Sequence, residues 1–124
     1  MLRAGIETIA VFGAAIEVHR CLGPGLLESV YEECLCHELK LRGIEFVRQA
    51  PLPVVYKDLK LEHGYRIDIL ISGKLVIEVK AVDAIAPVHE AQLLTYLKLS
   101  GVRTGLILNF YVPVLKDGIK RLVM

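Results

Sequence analysis

The sequence holds no apolar stretch long enough to cross a bilayer. Its longest, Ile9 to Ile16, is flanked by Glu7 and Glu17, and a membrane helix needs about 20 apolar residues. Glu7 also interrupts the region where the apolar core of a secretory leader would begin, so no leader is expected. Cysteine is scarce. Three cysteines, an odd number without framework spacing, fit a reducing compartment, and a cytoplasmic protein is expected. A basic surplus is absent too: 15 Lys and Arg against 14 Asp and Glu leave a net charge of +1. Tight binding to duplex phosphates usually requires such a surplus. Any hold on nucleic acid must therefore be local, weak or shared between subunits.

Other absences narrow the chemistry. No glycine-rich loop matches a P-loop or a dinucleotide fingerprint, and no serine sits in a nucleophile-elbow sequence. His19, His37, His63 and His89 show no metal-ligand spacing. Cys34-x-Cys36-His37 invites a zinc reading, but its cysteines fall on a predicted helix. Residues two apart there diverge by about 200°. These cysteines are expected to pack, and Cys21 has no evident catalytic partner. No repeat, low-complexity tract or linker appears, so residues 1–124 are expected to form one domain. A hydrophobic content of 54% with 23% charged residues fits a folded core rather than disorder.

What is present reads as helix, helix, strands, helix, strand. Apolar residues at spacings of three and four predict a helix from about Arg3 to His19, broken by Cys21-Leu-Gly-Pro-Gly25. A second helix is predicted from about Leu26 to Leu41, with a stripe of Leu27, Val30, Tyr31, Cys34, Leu35 and Leu39. Strands are expected over Ile44–Arg48, Leu52–Tyr56 and Lys60–Glu62, the last two around a Lys57-Asp58 turn. Pro87 and Gly101 bound a third helix to about Leu99, and strands follow at Thr104–Phe110 and Ile119–Met124. This order predicts an α/β fold with a central mixed sheet.

The most informative stretch is Tyr65 to Ala81. It reads as strands Tyr65–Ile71 and Lys74–Val82 joined by a Ser72-Gly73 hairpin turn. Alternation puts Ile67, Ile69 and Ile71 on one face of the first strand, with Arg66, Asp68 and Leu70 on the other. On the second, Val76, Glu78, Lys80 and Val82 share a face opposite Ile77, Val79 and Ala81. Asp68, Glu78 and Lys80 thus lie on faces that also carry apolar residues, where charges need partners. Two carboxylates on neighbouring strands suit a hard divalent cation, the Val79 carbonyl offering a further oxygen. Lys80 would then stand beside an activated water, a set suited to phosphodiester hydrolysis. The plainer reading is an ion pair of Lys80 with Glu78 or Asp68 on a half-exposed strand. Glu28 likewise has two readings: a first-turn acid complementing the helix dipole, or a third carboxylate leaning toward Asp68 and Glu78. His89, Gln92 and Tyr96 share one face of the third helix, where His89 is expected either to be structural or to support the site from behind the residues that line it.

Taken in order, Gly25-Leu-Leu-Glu28-Ser-Val-Tyr31, Asp68, Glu78-Val79-Lys80 and Gln92-Leu-Leu-Thr-Tyr96 resemble the GxxExxY family. That family is assigned to the PD-(D/E)XK nuclease-like superfamily, and the resemblance runs from about Ile16 to Leu122. It implies a restriction-endonuclease-like core and a Mg2+- or Mn2+-dependent nuclease acting on nucleic acid, DNA in preference to RNA, in repair or defence. It also implies roles: Asp68, Glu78 and Glu28 as metal carboxylates, Lys80 serving the attacking water, and Gln92 and Tyr96 lining the site. The proline that names the superfamily is missing, since Arg66-Ile67 precedes Asp68. The competing reading is a non-catalytic module that keeps the fold and binds nucleic acid or protein, with homodimerisation as its simplest form.

Overall fold

Two helices come first, parted by Gly23-Pro24-Gly25. The computed structural model describes residues 5–124, so Arg3 and Ala4 of the predicted first helix lie outside the described residues. Helix α1 (Ile6–Leu22) runs past the expected end through Cys21 and Leu22, because neither residue resists helix. It stops at Gly23, whose φ of 73° suits glycine and which precedes a proline. Helix α2 (Glu28–Leu41) begins two residues later than predicted. Leu27, expected in its buried stripe, is instead the 73% exposed residue before the first turn. Tyr31 organises the connection: its hydroxyl donates to the Gly23 carbonyl and accepts from the Leu26 N–H at 3.0 Å. Its ring is fully buried and stacks on Phe110 at 4.4 Å between centroids.

Five strands form the main sheet, in the order β1-β4-β5-β6-β7. They are β1 (Phe46–Pro51), β4 (Arg66–Ile71), β5 (Leu75–Lys80), β6 (Thr104–Asn109) and β7 (Ile119–Val123). Strands β2 (Val54–Tyr56) and β3 (Leu59–Leu61) pair separately as a small hairpin. Strands β5 and β6 run parallel, and helix α3 (Pro87–Ser100) supplies the crossover that parallel pairing requires. The remaining main-sheet pairs are antiparallel, so the sheet is mixed, as expected.

Several boundaries shift for local reasons. The first strand starts at Phe46 rather than Ile44, because the Ile44 N–H closes the end of α2 on the Leu39 carbonyl. Leu52 and Pro53 fall outside β2, with the Leu52 N–H bonded to the Tyr65 carbonyl. The Ser72-Gly73 turn has φ of 50° and 66° and is closed by the Lys74 N–H on the Ile71 carbonyl. Ile71 pairs with Leu75, so Lys74 belongs to a three-residue connection and β5 starts one residue later than expected.

Both sheet faces are covered, which is why β5 and β6 read as nearly continuous apolar runs. Val11, Val18, Leu35 and Leu39 of α1 and α2 pack on Ile69, Ile77, Val79, Leu106 and Leu108. On the other face, Leu93, Tyr96 and Leu97 of α3 pack on Val76, Ile107 and Ile67. Gly105 lets α3 approach closely: a Cβ there would stand 2.7 Å from Leu93 Cδ1. No helix among the described residues is long and apolar enough to cross a membrane.

Candidate active site

The β4–β5 ladder pairs Ile71 with Leu75, Leu70 with Val76 and Ile69 with Ile77, then stops. The next residues in that register are Asp68 and Glu78. Their side chains replace the missing backbone bonds. Glu78 Oε2 accepts the Asp68 N–H at 3.0 Å, and Asp68 Oδ2 accepts the Val79 N–H at 2.8 Å. The strands therefore fork, with two carboxyl groups laced across the opening. Strict alternation also fails here. Ile67, expected beside Ile69 and Ile71, packs in the α3 cluster, while those two pack beneath α1 and α2.

Burial gives this pair its electrostatics. Glu78 is 4% exposed. Loss of solvent, with the Asp68 charge adding, pushes its carboxyl up to about 8, against the opposing pull of the Asp68 N–H and Lys80. Asp68 is pushed up to about 6, again mainly by loss of solvent, with the Val79 N–H opposing and the Glu32 carboxyl adding. Two acids held this way gain from a nearby cation. The charge of Lys80, the half-buried last residue of β5, favours ionisation of both. Lys80 makes no ion pair within 4 Å among the described residues, so the plain ion-pair reading does not describe it.

Glu28 opens α2, and its Oε2 accepts the Ala81 N–H at 3.0 Å. It thus ties the helix start to the chain just beyond Lys80, and no hydrogen bond joins it to Asp68 or Glu78 among the described residues. The next amide, of Val82, donates to Asn109 Oδ1 at 3.0 Å, while Asn109 Nδ2 donates to the Val82 carbonyl at 2.9 Å. These two side chains end β5 at Lys80 rather than at Val82, because they take the amides that would have continued the ladder. Asn109 was not singled out from the sequence; a polar residue closing the apolar run of β6 was its signal.

On α3, Gln92 Nε2 donates to the Tyr96 hydroxyl at 3.0 Å. Burial pushes the Tyr96 hydroxyl upward, with the Gln92 hydrogen bond opposing and the charges of Glu78 and Asp68 adding. Val54, Tyr65, Gln92, Thr95, Tyr96 and Leu99 line an adjoining cavity of about 360 Å3. His89 is structural: its Nδ1 accepts the Ala86 N–H at 2.9 Å and closes the start of α3. The cysteines are all free, and burial pushes the Cys36 thiol up to about 11, away from nucleophilic use.

The acid that sequence reasoning passed over is Glu32. It is 7% exposed and shares the inward face of α2 with Leu35, Cys36 and Leu39. Arg48 Nε and Gln49 Nε2 both bond it, and its negative charge adds to the upward push on the Asp68 carboxyl. An acid placed within an apolar helical stripe was the available signal.

No group of three or more His, Cys, Asp or Glu side chains is clustered for metal binding among the described residues. Two carboxylates remain a suitable donor set for a cation that keeps several waters. The backbone bonds occupy Asp68 Oδ2 and Glu78 Oε2 and leave Oδ1 and Oε1 without a backbone donor. A family model described as the PD-(D/E)XK nuclease superfamily matches residues 6–122. No curated protein and no solved structure matches the chain.

Proposed function

Because the chain belongs to the PD-(D/E)XK nuclease superfamily, we propose that it is a metal-dependent nuclease whose active centre is the β4–β5 fork. The observation that carries this reading is the pair of desolvated carboxyls, Asp68 and Glu78, laced across that fork with Lys80 at its end. Asp68 and Glu78 would hold Mg2+ or Mn2+, with Glu28 the further carboxylate nearest the end of β5. When bound, such a cation supplies Lewis acidity and a water of lowered pKa. Lys80 orients that water and offers positive charge where the phosphodiester becomes more negative. Gln92 and Tyr96 would border the substrate path, their mutual hydrogen bond holding the tyrosine hydroxyl in place. DNA is the preferred substrate in this reading, and repair or defence its setting.

Within the superfamily we assign the chain to the GxxExxY family. The spacing has a physical rationale. Glu28 ties α2 to the end of β5, while Tyr31, one turn on, fastens the loop around Gly25 through Gly23 and Leu26. The motif thus sets one carboxylate against the strand end that carries Lys80.

Cleavage of single- and double-stranded DNA and RNA with Mg2+ or Mn2+ tests the reading. Asp68→Ala and Lys80→Ala should each lower the rate by at least about 100-fold while leaving the fold intact. Equal activity in either folded variant would end this mechanism.

A second reading is favoured by one feature. Ile6, Ile9 and Ile16 of α1 are 78%, 61% and 46% exposed, an apolar strip suited to assembly. A non-catalytic module that binds protein or nucleic acid through a homodimer would use it.

A further inference from the structure

Tyr65 stands immediately before β4, in the chain segment that leads to Asp68, and it is 49% exposed. It is a wall shared by two hollows. On one side it lines the cavity of about 360 Å3 with Val54, Gln92, Thr95, Tyr96 and Leu99. On the other it lines a hollow with Glu62, Gly64 and Arg66. Tyr96, by contrast, is 6% exposed and packs in one cluster with Ile67 and Val76. Ile67 precedes Asp68, and Val76 shares a face of β5 with Glu78. The cavity therefore borders the two strands just where they fork.

Its lining combines carbon surface from Val54 and Leu99 with two aromatic residues and a small polar set. Gln92 Nε2 donates to the Tyr96 hydroxyl. Gln92 Oε1 and the hydroxyls of Thr95 and Tyr65 have no hydrogen-bond partner among the described residues. No lysine or arginine lines this cavity, so a bare phosphate would find no cation in it. A purely aliphatic ligand would leave the amide and the hydroxyls unpaired. A flat heteroaromatic ring suits both parts of the lining, its faces stacking and its polar edge pairing. A base within a duplex has that edge taken by its partner, so only an unpaired base can offer it.

We propose that this cavity is a nucleobase subsite, with Tyr65 as its stacking platform and Gln92 and Thr95 meeting the base edge, and that the substrate strand is unpaired beside the fork. The inference rests on the reading of the fork as a nuclease centre, and it adds the substrate class. Stacking also supplies a hold that a net charge of +1 does not.

Fluorescence anisotropy of labelled DNA, with chelator present to prevent cleavage, tests the subsite. Three probes of equal length are compared: a single strand carrying bases, a fully abasic strand and a blunt duplex. Wild type should hold the base-bearing strand at least about 10-fold more tightly than either of the others. Tyr65→Ala should reduce that preference to within about 3-fold, whereas Tyr65→Phe, which keeps the ring, should preserve it. Tyr65→Leu keeps apolar bulk without an aromatic face and should lose the preference too, so it decides the matter if Tyr65→Ala does not fold. Equal binding of base-bearing and abasic strands, binding of neither, or a preference that survives in folded Tyr65→Ala or Tyr65→Leu overturns the proposal. Cleavage with Mn2+ separates this inference from the one beneath it. A Tyr65-dependent base preference in a protein that cuts nothing supports the subsite and defeats the nuclease reading. Cleavage without any base preference overturns the subsite and leaves the nuclease centre standing.

Discussion

Glu78 shows what the fork does to a single carboxyl. Its pKa is raised from the ordinary 4.5 to about 8, so between those values the folded state holds a proton that the unfolded state releases. Stability from this group is therefore fully present below pH 4.5 and is lost as pH rises through 8. Asp68, raised from 3.8 to about 6, acts in the same direction at lower pH. With chelator present, the melting temperature should be higher at pH 5.5 than at pH 8 by ~5 °C or more. Glu78→Gln should remove most of that difference; an unchanged pH slope in the variant would refute the assignment. Tyr31→Phe is a second test at this scale. Losing two hydrogen bonds that hold the Gly23–Leu26 loop should cost ~1–3 kcal/mol in urea unfolding, with the Phe110 stack retained. A stability equal to wild type would show that the loop does not depend on the hydroxyl.

At the scale of elements, the site is a consequence of how β5 ends. Antiparallel pairing with β4 lapses at Asp68, whereas parallel pairing with β6 continues through Lys80 and Asn109. One edge of β5 is thus opened for carboxylates while the other keeps the strand straight. Asn109 and Glu28 then receive the Val82 and Ala81 amides. Asn109→Ala should destabilise the protein by ~1–3 kcal/mol, since it leaves the part-buried Val82 N–H and carbonyl without their partner, and denaturant melts would measure it. Packing across the sheet gives another prediction. Gly105→Ala would drive a Cβ into Leu93, which is fully buried, so that side chain or α3 itself must give way. The expected cost is about 1–3 kcal/mol. A neutral result would mean that Leu93 changes rotamer freely, contrary to a close-packed interface.

For the whole molecule, near-neutral charge and an exposed apolar strip bear on how nucleic acid is held. Fifteen basic residues against fourteen acidic ones give no global attraction to phosphate. A dimer through Ile9 and Ile16 would pool two local surfaces. Light scattering should give twice the monomer mass, and Ile9→Glu with Ile16→Glu should return the protein to monomer. A monomeric wild type would remove this strip from the argument.

The α/β character was legible because it is written in local periodicity: apolar spacing of three and four in α1 and α2, alternation in β4, and Pro87 and Gly101 around α3. The Ser72-Gly73 hairpin was equally legible, since only two residues must adopt left-handed backbone. The residue types gathered near the fork, Asp68, Glu78 and Lys80, could be singled out as charges on otherwise apolar faces. Their arrangement could not. The fork depends on which backbone amides lose their strand partners and on which side chains across the opening receive them, and neither is visible in the residue pattern of one strand. Glu32 was hidden for the same reason. On α2 it is one acid among several, and only the fold brings Arg48 and Gln49 of β1 to it. Local sequence determined the elements and the supply of charge, because both depend on neighbours along the chain. Tertiary structure decided which acids were desolvated and which were clamped, because those depend on contacts that no local pattern encodes.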